Sequence, residues 1–456
     1  MKIQLQHIIG LFLYCLPFLS SGQDTTIYSN PVAPFVSTSP ADSLTKQISA
    51  SRVFNKYFFG FSLYDPSTNT PICEFQSDKY FIPASNTKLL TLYAALNILP
   101  DNMTSLRYTV KGDTLIFWGT ADPWLLNSKL PYQSNVINFL KSRSEHLYFS
   151  SSNYLDQPYG QGWMWDDYDS RFQPEKSPLP LYGNLMSVKA NNNELTISPP
   201  YFKQLVKDIS ELGYTKPPIK RQLGDNTIEY NYKTIPYSGV RREIPFRCND
   251  SLIATLLSDT LNKEVGVWTS LDYPYPGLPY VSGGETNTLL KEMMQESDNF
   301  IAEQLLLACS DKLFYNIQTE KTTDYVNKIL LYDLPDEPIW ADGSGLSRYN
   351  LMTPRSMVKL LQKIYDKAGE ERIINLFAVG GRSGTIKDRY RNPEGRAPYI
   401  YAKTGTLANV HALSGYIFTR SGKMLIFSFM NNNFRGSLGS IKDEMEKTLE
   451  TIYYLF

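Results

Sequence analysis

Leu89, Leu92, Tyr93, Leu96 and Leu99 recur at three- and four-residue steps until Pro100 stops the run. That spacing predicts an amphipathic helix buried on one side. Just before it, "YFFGFSLYDPSTNTPICEF" holds two strand-like runs around Asp65, Pro66, Ser67 and Asn69, a hairpin pattern. "PADSLTKQISASRVFNKY" reads as an opening helix. At the other end, "ALSGYIFTRSGKMLIFSFMNN" predicts a hairpin turning at Ser421-Gly422. The closing "IKDEMEKTLETIYYLF" spaces Ile441, Met445, Leu449 and Ile452 for one helix face.

Between these ends the texture changes. From about Met103 to about Gly283 the chain is rich in tyrosine, proline and asparagine, with short strand-like pieces and few helical patterns. This predicts an inserted, mostly β region spanning 103–283, in one or two small domains. Helical character returns in "TNTLLKEMMQESDNFIAEQLLLACSDKLF" and after Thr353-Pro354, a helix-start pair. One α/β domain, built from 23–102 plus 284–456, is therefore expected around the insertion.

The first residues form a third pattern. Lys2 precedes an apolar run from Ile8 to Leu19, and small residues Ser20-Ser21-Gly22 follow. This reads as a signal peptide over 1–22, cleaved before Gln23. The run is short for a bilayer span and Pro17 breaks it, so no stable membrane anchor is expected. Bulky residues before Cys15 argue against lipidation. Export is the expected fate, to the periplasm because no anchor or sorting signal follows "ETIYYLF".

Composition narrows the partners. The 456 residues are 42% hydrophobic and 20% charged, and 45 Lys plus Arg balance 45 Asp plus Glu. A globular, neutral chain of this kind has no electrostatic footprint for nucleic acid. After the leader, Cys73, Cys248 and Cys309 remain, none in a CxxC pair. Cys309 reads as a small buried hydrophobe, and a Cys73–Cys248 bridge stays open.

Histidine chemistry is scarce. Of three histidines, His7 lies in the leader, leaving His146 and His411, and no GxSxG elbow presents a serine. No HExxH, clustered metal ligands or GxxxxGK[ST] loop occurs. Nothing in the chain calls for a metal or a cofactor.

Lysine can replace histidine as the base. In "PASNTKLL", Ser85 and Lys88 lie three apart, and on a helix such residues share a face. Lysine acts as a base only when burial or nearby positive charge lowers its pKa. By itself the spacing is weak, since Ser43…Lys46 and Ser356…Lys359 repeat it with the look of ordinary helix surface. Taken alone, Ser85 reads better as a helix N-cap. Two further motifs change this: Ser297-Asp298-Asn299 in "ESDNF", and Lys403-Thr404-Gly405 in "YAKTGTL". The three together, in this order, are the signature of penicillin-binding proteins and related β-lactamases.

On these motifs the chain resembles the low-molecular-weight, class C penicillin-binding proteins, the D-alanyl-D-alanine carboxypeptidase/endopeptidase type of peptidase family S13. The 212 residues from Ser85 to Ser297 match that family's large insertion and exceed the β-lactamase spacing. "GTADPWL", "YGQGWMWDD", "ADGSGLSRYN" and "SGTIKDR" also look like the family, with Ser383 where many relatives carry aspartate. The resemblance implies an α/β (α+β) fold of the penicillin-binding, serine β-lactamase-like class, an antiparallel sheet flanked by helices.

It also implies roles. Ser85 is the nucleophile and Lys88 its base, with Lys403 helping to keep Lys88 neutral. Ser297 relays a proton to the leaving amine, Asn299 holds the substrate amide, and Asp298 orients the loop. Lys403, Thr404 and Thr406 meet the substrate carboxylate, while Gly405 permits close approach to the strand. The backbone N–H groups of Ser85 and Thr406 form the oxyanion hole. Ser344 reads as part of a glycine-rich turn bracing the cleft, and His411 as a strand residue near the site. Trp163 and Trp165 read as core.

The implied substrates are peptidoglycan stem peptides ending in D-Ala-D-Ala, and D-Ala cross-links, with β-lactam antibiotics as covalent inhibitors. Two other readings stay open: a serine β-lactamase, and a non-catalytic peptidoglycan-binding protein with a vestigial site.

Overall fold

The computed structural model describes residues 39–191 and 194–456, so the expected leader lies outside the described residues. The described chain begins with helix α1 (Pro40–Ser49), hairpin β1 (Phe58–Asp65) and β2 (Thr70–Phe75), and helix α2 (Lys88–Ile98). Next come β3 (Asn102–Lys111), β4 (Thr114–Gly119), α3 (Asn135–Ser142) and β5 (His146–Ser150). β6 (Leu185–Asn191), β7 (Glu194–Ser198), β8 (Val206–Asp208), β9 (Ile219–Arg221), β10 (Ile228–Tyr230) and β11 (Val240–Pro245) follow. Helix α4 (Asp250–Leu261), β12 (Val265–Val267) and β13 (Tyr280–Glu285) lead into α5 (Thr286–Gln295), α6 (Asn299–Phe314), α7 (Thr319–Tyr325) and α8 (Pro354–Leu376). The chain closes with β14 (Ala378–Val379), β15 (Ile400–Leu407), hairpin β16 (Val410–Phe418) and β17 (Met424–Asn432), and α9 (Leu438–Leu455).

Both ends of the chain build one antiparallel sheet of six strands, in the order β14-β15-β16-β17-β1-β2. Period-two alternation sorts its side chains between two cores. Leu413, Phe427 and Phe429 join Leu44 and Ile48 of α1 and Ile441, Met445, Leu449 and Ile452 of α9. Ala412, Ile426 and Met430, one step out of phase, join the helices α2, α5, α6 and α8. With helices on both faces, β16 and β17 are buried almost throughout, which explains their nearly unbroken apolar sequence. The C-terminal helix face is as the spacing predicts.

Helix α2 differs from expectation. Every residue from Lys88 to Leu96 is buried, so the helix is enclosed on all sides rather than on one. An apolar helix without a polar face belongs in a core. Its polar Lys88 and Thr91 then need internal partners, and both find them.

Residues 103–283 fold as three sheets, with orders β12-β5-β4-β3-β13, β11-β6-β7 and β8-β10-β9. Helices α3 and α4 add more helix than the pattern suggested, and α4 supplies Leu252, Leu256 and Leu257 to the core under Leu115, Phe117, Leu147 and Phe149. Asn249 caps α4 by accepting from Leu252 N at 2.8 Å.

Cys309 is fully buried, as its apolar run suggests, and Cys73 and Cys248, whose pairing the sequence leaves open, are free thiols. Other local readings need correction. Trp165 is 73% exposed rather than core, because its loop runs over the surface. Ser356 is buried at the start of α8, donating to Asp336 O at 2.9 Å, and is no surface residue. Thr353 caps that helix through Ser356 N, with Pro354 in its first turn.

Candidate active site

Ser85 sits in a 3-10 turn, Ala84–Thr87, that feeds directly into α2. The helix is flanked by Thr87 with no side-chain cap, so the N-cap reading of Ser85 does not hold. The Ser85 hydroxyl instead receives Lys88 Nζ at 3.1 Å. The turn is clamped from below: Asn86 Nδ2 donates to Ser414 Oγ of β16 at 2.7 Å, and Thr87 Oγ1 donates to Ala84 O at 2.8 Å. Ala84, just before the serine, has φ +48°, a conformation that costs a non-glycine residue.

Two glycines let neighbouring segments press on this turn. A Cβ on Gly405 of β15 would lie 2.5 Å from Pro83 O and 2.9 Å from Ser85 N. A Cβ on Gly345, at φ +85°, would lie 1.9 Å from Ala84 O. The glycine of Lys403-Thr404-Gly405 thus admits the nucleophile's own turn, rather than only a substrate as the sequence suggested.

Lys88 is fully buried and donates three hydrogen bonds: to Ser85 Oγ, to Asn299 Oδ1 at 2.6 Å and to Ser344 O at 2.6 Å. Burial lowers its pKa to about 8, against the opposing pull of Asp342, Glu303 and Asp298. Lys403 is equally buried and donates to Ser297 Oγ at 2.7 Å and to Thr404 O at 2.8 Å. Burial pushes this amine well below the usual lysine range, and the charge of Lys88 pushes the same way. Of burial and neighbouring positive charge, the two causes expected from the sequence, burial is the leading one for Lys88.

The segment Ser297-Asp298-Asn299 joins α5 to α6. Ser297 has φ +60°, and Asp298 caps α6 by accepting from Ile301 N at 3.0 Å. The other oxygen of Asp298 takes Lys129 Nζ at 2.6 Å. Asn299 is engaged at both ends, since its Nδ2 donates to Phe172 O at 2.9 Å. On β15, Thr404 Oγ1 donates to Thr385 Oγ1 at 2.8 Å, and Thr406 Oγ1 lies 2.9 Å from His411 Nδ1.

The three motifs thus come together, while the hydroxyls of Thr404 and Thr406 are turned to Thr385 and His411. Ser85, Lys88 and Asn299 form one hydrogen-bonded group, Ser297 and Lys403 a second, and Gly405 seats β15 against the serine turn. Ser344 braces the site as its glycine-rich turn suggests, through its carbonyl, whereas sequence reasoning missed the other partners: Thr385 supports Thr404, and Lys129 and Phe172 reach in from the insertion. Beside Ser297 and Asn299 opens a cleft of about 1100 Å³ whose other wall carries Phe172, Arg241 and Arg242. The arrangement offers a hydroxyl nucleophile, a buried amine able to take its proton, and a second amine–hydroxyl pair alongside.

Comparison with known proteins identifies the family and the fold. The model of the D-Ala-D-Ala carboxypeptidase 3 (S13) family matches residues 43–452. The D-alanyl-D-alanine carboxypeptidase DacB of Haemophilus influenzae is 25% identical over 426 residues, 84% of this chain and 87% of its own. The penicillin-sensitive carboxypeptidase A of Dictyostelium discoideum is 23% identical over 435 residues, 81% of this chain and 82% of its own. The crystal structure of penicillin binding protein 4 (dacB) from Haemophilus influenzae shares the fold, with TM-score 0.70 at 22% identity over 91% of this chain and 98% of that one. The chain belongs to the D-Ala-D-Ala carboxypeptidase 3 (S13) family.

Proposed function

We propose that this chain is a serine D,D-peptidase that hydrolyses the terminal D-Ala-D-Ala bond of peptidoglycan stem peptides, and cleaves D-Ala cross-links as an endopeptidase. The observation that carries the reading is the buried Lys88 amine, lowered to about 8 and 3.1 Å from the Ser85 hydroxyl. A lysine there is a usable base at mildly alkaline pH.

In this mechanism Ser85 Oγ attacks the carbonyl of the penultimate D-alanine while Lys88 Nζ accepts its proton. The backbone N–H groups of Ser85 and Thr406 hold the oxyanion, and the close seating of Gly405 against Ser85 N favours that pairing. As the C–N bond breaks, the proton taken by Lys88 passes on to the departing amine by way of the Ser297 hydroxyl, which Lys403 orients at 2.7 Å, and Lys88 is neutral again. Lys403, Thr404 and Thr406 meet the terminal carboxylate, and Asn299 the substrate amide. Water then attacks the Ser85 ester as Lys88 takes its proton, the acyl C–Oγ bond breaks, Lys88 returns the proton to Ser85 Oγ, and the shortened peptide leaves. The cleft beside Asn299 has room for the rest of a stem peptide. A β-lactam, with a strained amide near a carboxylate, acylates the same serine, and a penicillin is the covalent inhibitor expected.

The same reading divides the chain into a leader over 1–22, a peptidase domain of 23–102 plus 284–456, and an insertion over 103–283. It is supported by a six-stranded sheet that draws only on the two ends. Export to the periplasm is supported by the N-terminal pattern of Lys2, an apolar run and small residues. No helix among the described residues is long and apolar enough to cross a membrane.

Fluorescent penicillin and a D-alanine-releasing pentapeptide assay test the proposal on the mature protein and a Ser85→Ala variant. A covalent band and D-alanine release, both lost in the variant, are expected. Absence of both in the wild type would leave the non-catalytic binding reading, and rapid loss of the penicillin label would favour a β-lactamase.

A further inference from the structure

Helix α6 supports Lys88 twice. Asn299 accepts from Lys88 Nζ directly, and Glu303, one turn further on the same face, acts through the Gly343–Gly345 turn. Glu303 Oε1 accepts from Ser344 N at 2.7 Å, and the carbonyl of that same Ser344 accepts from Lys88 Nζ at 2.6 Å. The turn has little freedom. A Cβ on Gly343 would lie 2.7 Å from Ala302 O of α6, and Thr91 Oγ1 of α2 holds Gly343 O at 2.7 Å.

Glu303 is 1% exposed, and its second oxygen, Oε2, is buried without a partner. Asp342, the other acid behind the site, differs. It accepts from Gly345 N, Ser347 N, Asn350 Nδ2 and Trp163 Nε1, all within 2.8 Å, so its charge is spread over four donors. Asp298 is paired with Lys129. Around Glu303 stand Lys88 from α2, Asp342 from the turn, and Lys176 and Tyr154 from the insertion. A buried carboxylate with an unspent oxygen, linked through the single residue Ser344 to the Lys88 amine, is a group the mechanism above does not use.

We propose that Glu303 is a positioning residue for Lys88: it holds the Ser344 carbonyl on the amine, and its negative charge governs how readily that amine gives up its proton. Burial, with Asp342 adding to it and Lys176 opposing, pushes the Glu303 carboxyl above the usual carboxylate range. An ionised Glu303 favours the charged ammonium, so removing that charge favours the neutral base.

The inference rests on the peptidase reading, and the test separates the two. Acylation by fluorescent penicillin is followed from acid to alkaline pH for wild type, Glu303→Gln and Glu303→Met, with thermal melts of each. Gln keeps an acceptor for Ser344 N, whereas Met removes the buried polar atoms altogether. The acid limb of acylation should move about one pH unit lower in both variants. The plateau should stay within about threefold for Gln and drop tenfold or more for Met, which frees the Ser344 turn. An unmoved limb in folded variants overturns the proposal, and so does failure of both to fold, which would leave Glu303 a structural role only. A wild type that takes no label at any pH sinks the peptidase reading instead, and this inference with it.

Discussion

Lys88 Nζ donates to Asn299 Oδ1 at 2.6 Å, across 211 residues of chain. The contact joins the first residue of one buried helix to the first residue of another, and it leaves Ser85 Oγ as the third partner of the amine. An amine so enclosed is neutral only above its lowered pKa of about 8. Acylation of Ser85 should therefore fall as pH drops through 8, by about tenfold per unit below it, because only the unprotonated fraction accepts the serine proton. The pH dependence of penicillin acylation checks this. A limb near the ordinary lysine value would show that burial does not lower Lys88.

Gly405→Ala should be nearly silent for folding of the three sheets within 103–283 and severe for chemistry. The new Cβ meets backbone atoms, Pro83 O at 2.5 Å and Ser85 N at 2.9 Å, which have no rotamer to escape into. Strand β15 must retreat from the serine turn, which would part the Ser85 and Thr406 amides proposed to hold the oxyanion. A loss of about 10²-fold or more in acylation rate is expected. Stopped-flow acylation with a parallel melt distinguishes this from unfolding.

Lys129→Met removes the cation from Asp298, whose side chain is 9% exposed against 23% for the lysine. Burial opposes ionisation of Asp298, but Lys129 and the Ile301 amide hold its carboxyl below the usual range. Stranding that charge should cost about 3 kcal/mol of stability. It should also slow acylation, since Asp298 fixes the turn that carries Ser297 and Asn299. Denaturant titration and acylation rates measure the two effects.

His411 predicts the acid behaviour of the fold. Burial, assisted by Lys442, lowers its pKa to about 3. A base whose folded pKa is depressed adds stability above its unfolded value of about 6.5 and loses it as pH falls toward 3. The melting temperature should therefore decline from about pH 6.5 downward, and His411→Gln should flatten that decline. Melts of both proteins between pH 7 and 4 check it; identical slopes would exclude His411 as the acid-sensitive group.

The legible parts of this protein were those with local signals. The two hairpins, the capped start of α8 at Thr353-Pro354 and the apolar face of α9 follow from alternation, turn residues and helical spacing. The motif residues Ser85, Lys88, Ser297, Asn299 and Lys403 were visible as types and order. Helix α2 was misjudged because a leucine stripe looks the same whether one face or the whole helix is covered; burial on the remaining faces comes from α6 and α8. Trp165 was misjudged because an aromatic residue carries no local mark of its exposure.

From sequence alone, then, come the elements with a period or a cap, and a set of reactive side chains matching a family pattern. Period and capping depend on neighbours within a few residues, so the chain itself carries them. What the tertiary structure decided is everything that depends on burial and on partners far along the chain. Whether Lys88 is a base depends on the desolvation that α6 and the Ser344 turn impose. Why residue 405 is glycine depends on the serine turn pressed against it, not on its own strand. That Lys129 and Phe172 brace Asp298 and Asn299 follows from where the insertion folds back. Desolvation and close backbone approach are properties of the packed chain, and no stretch of sequence holds them by itself.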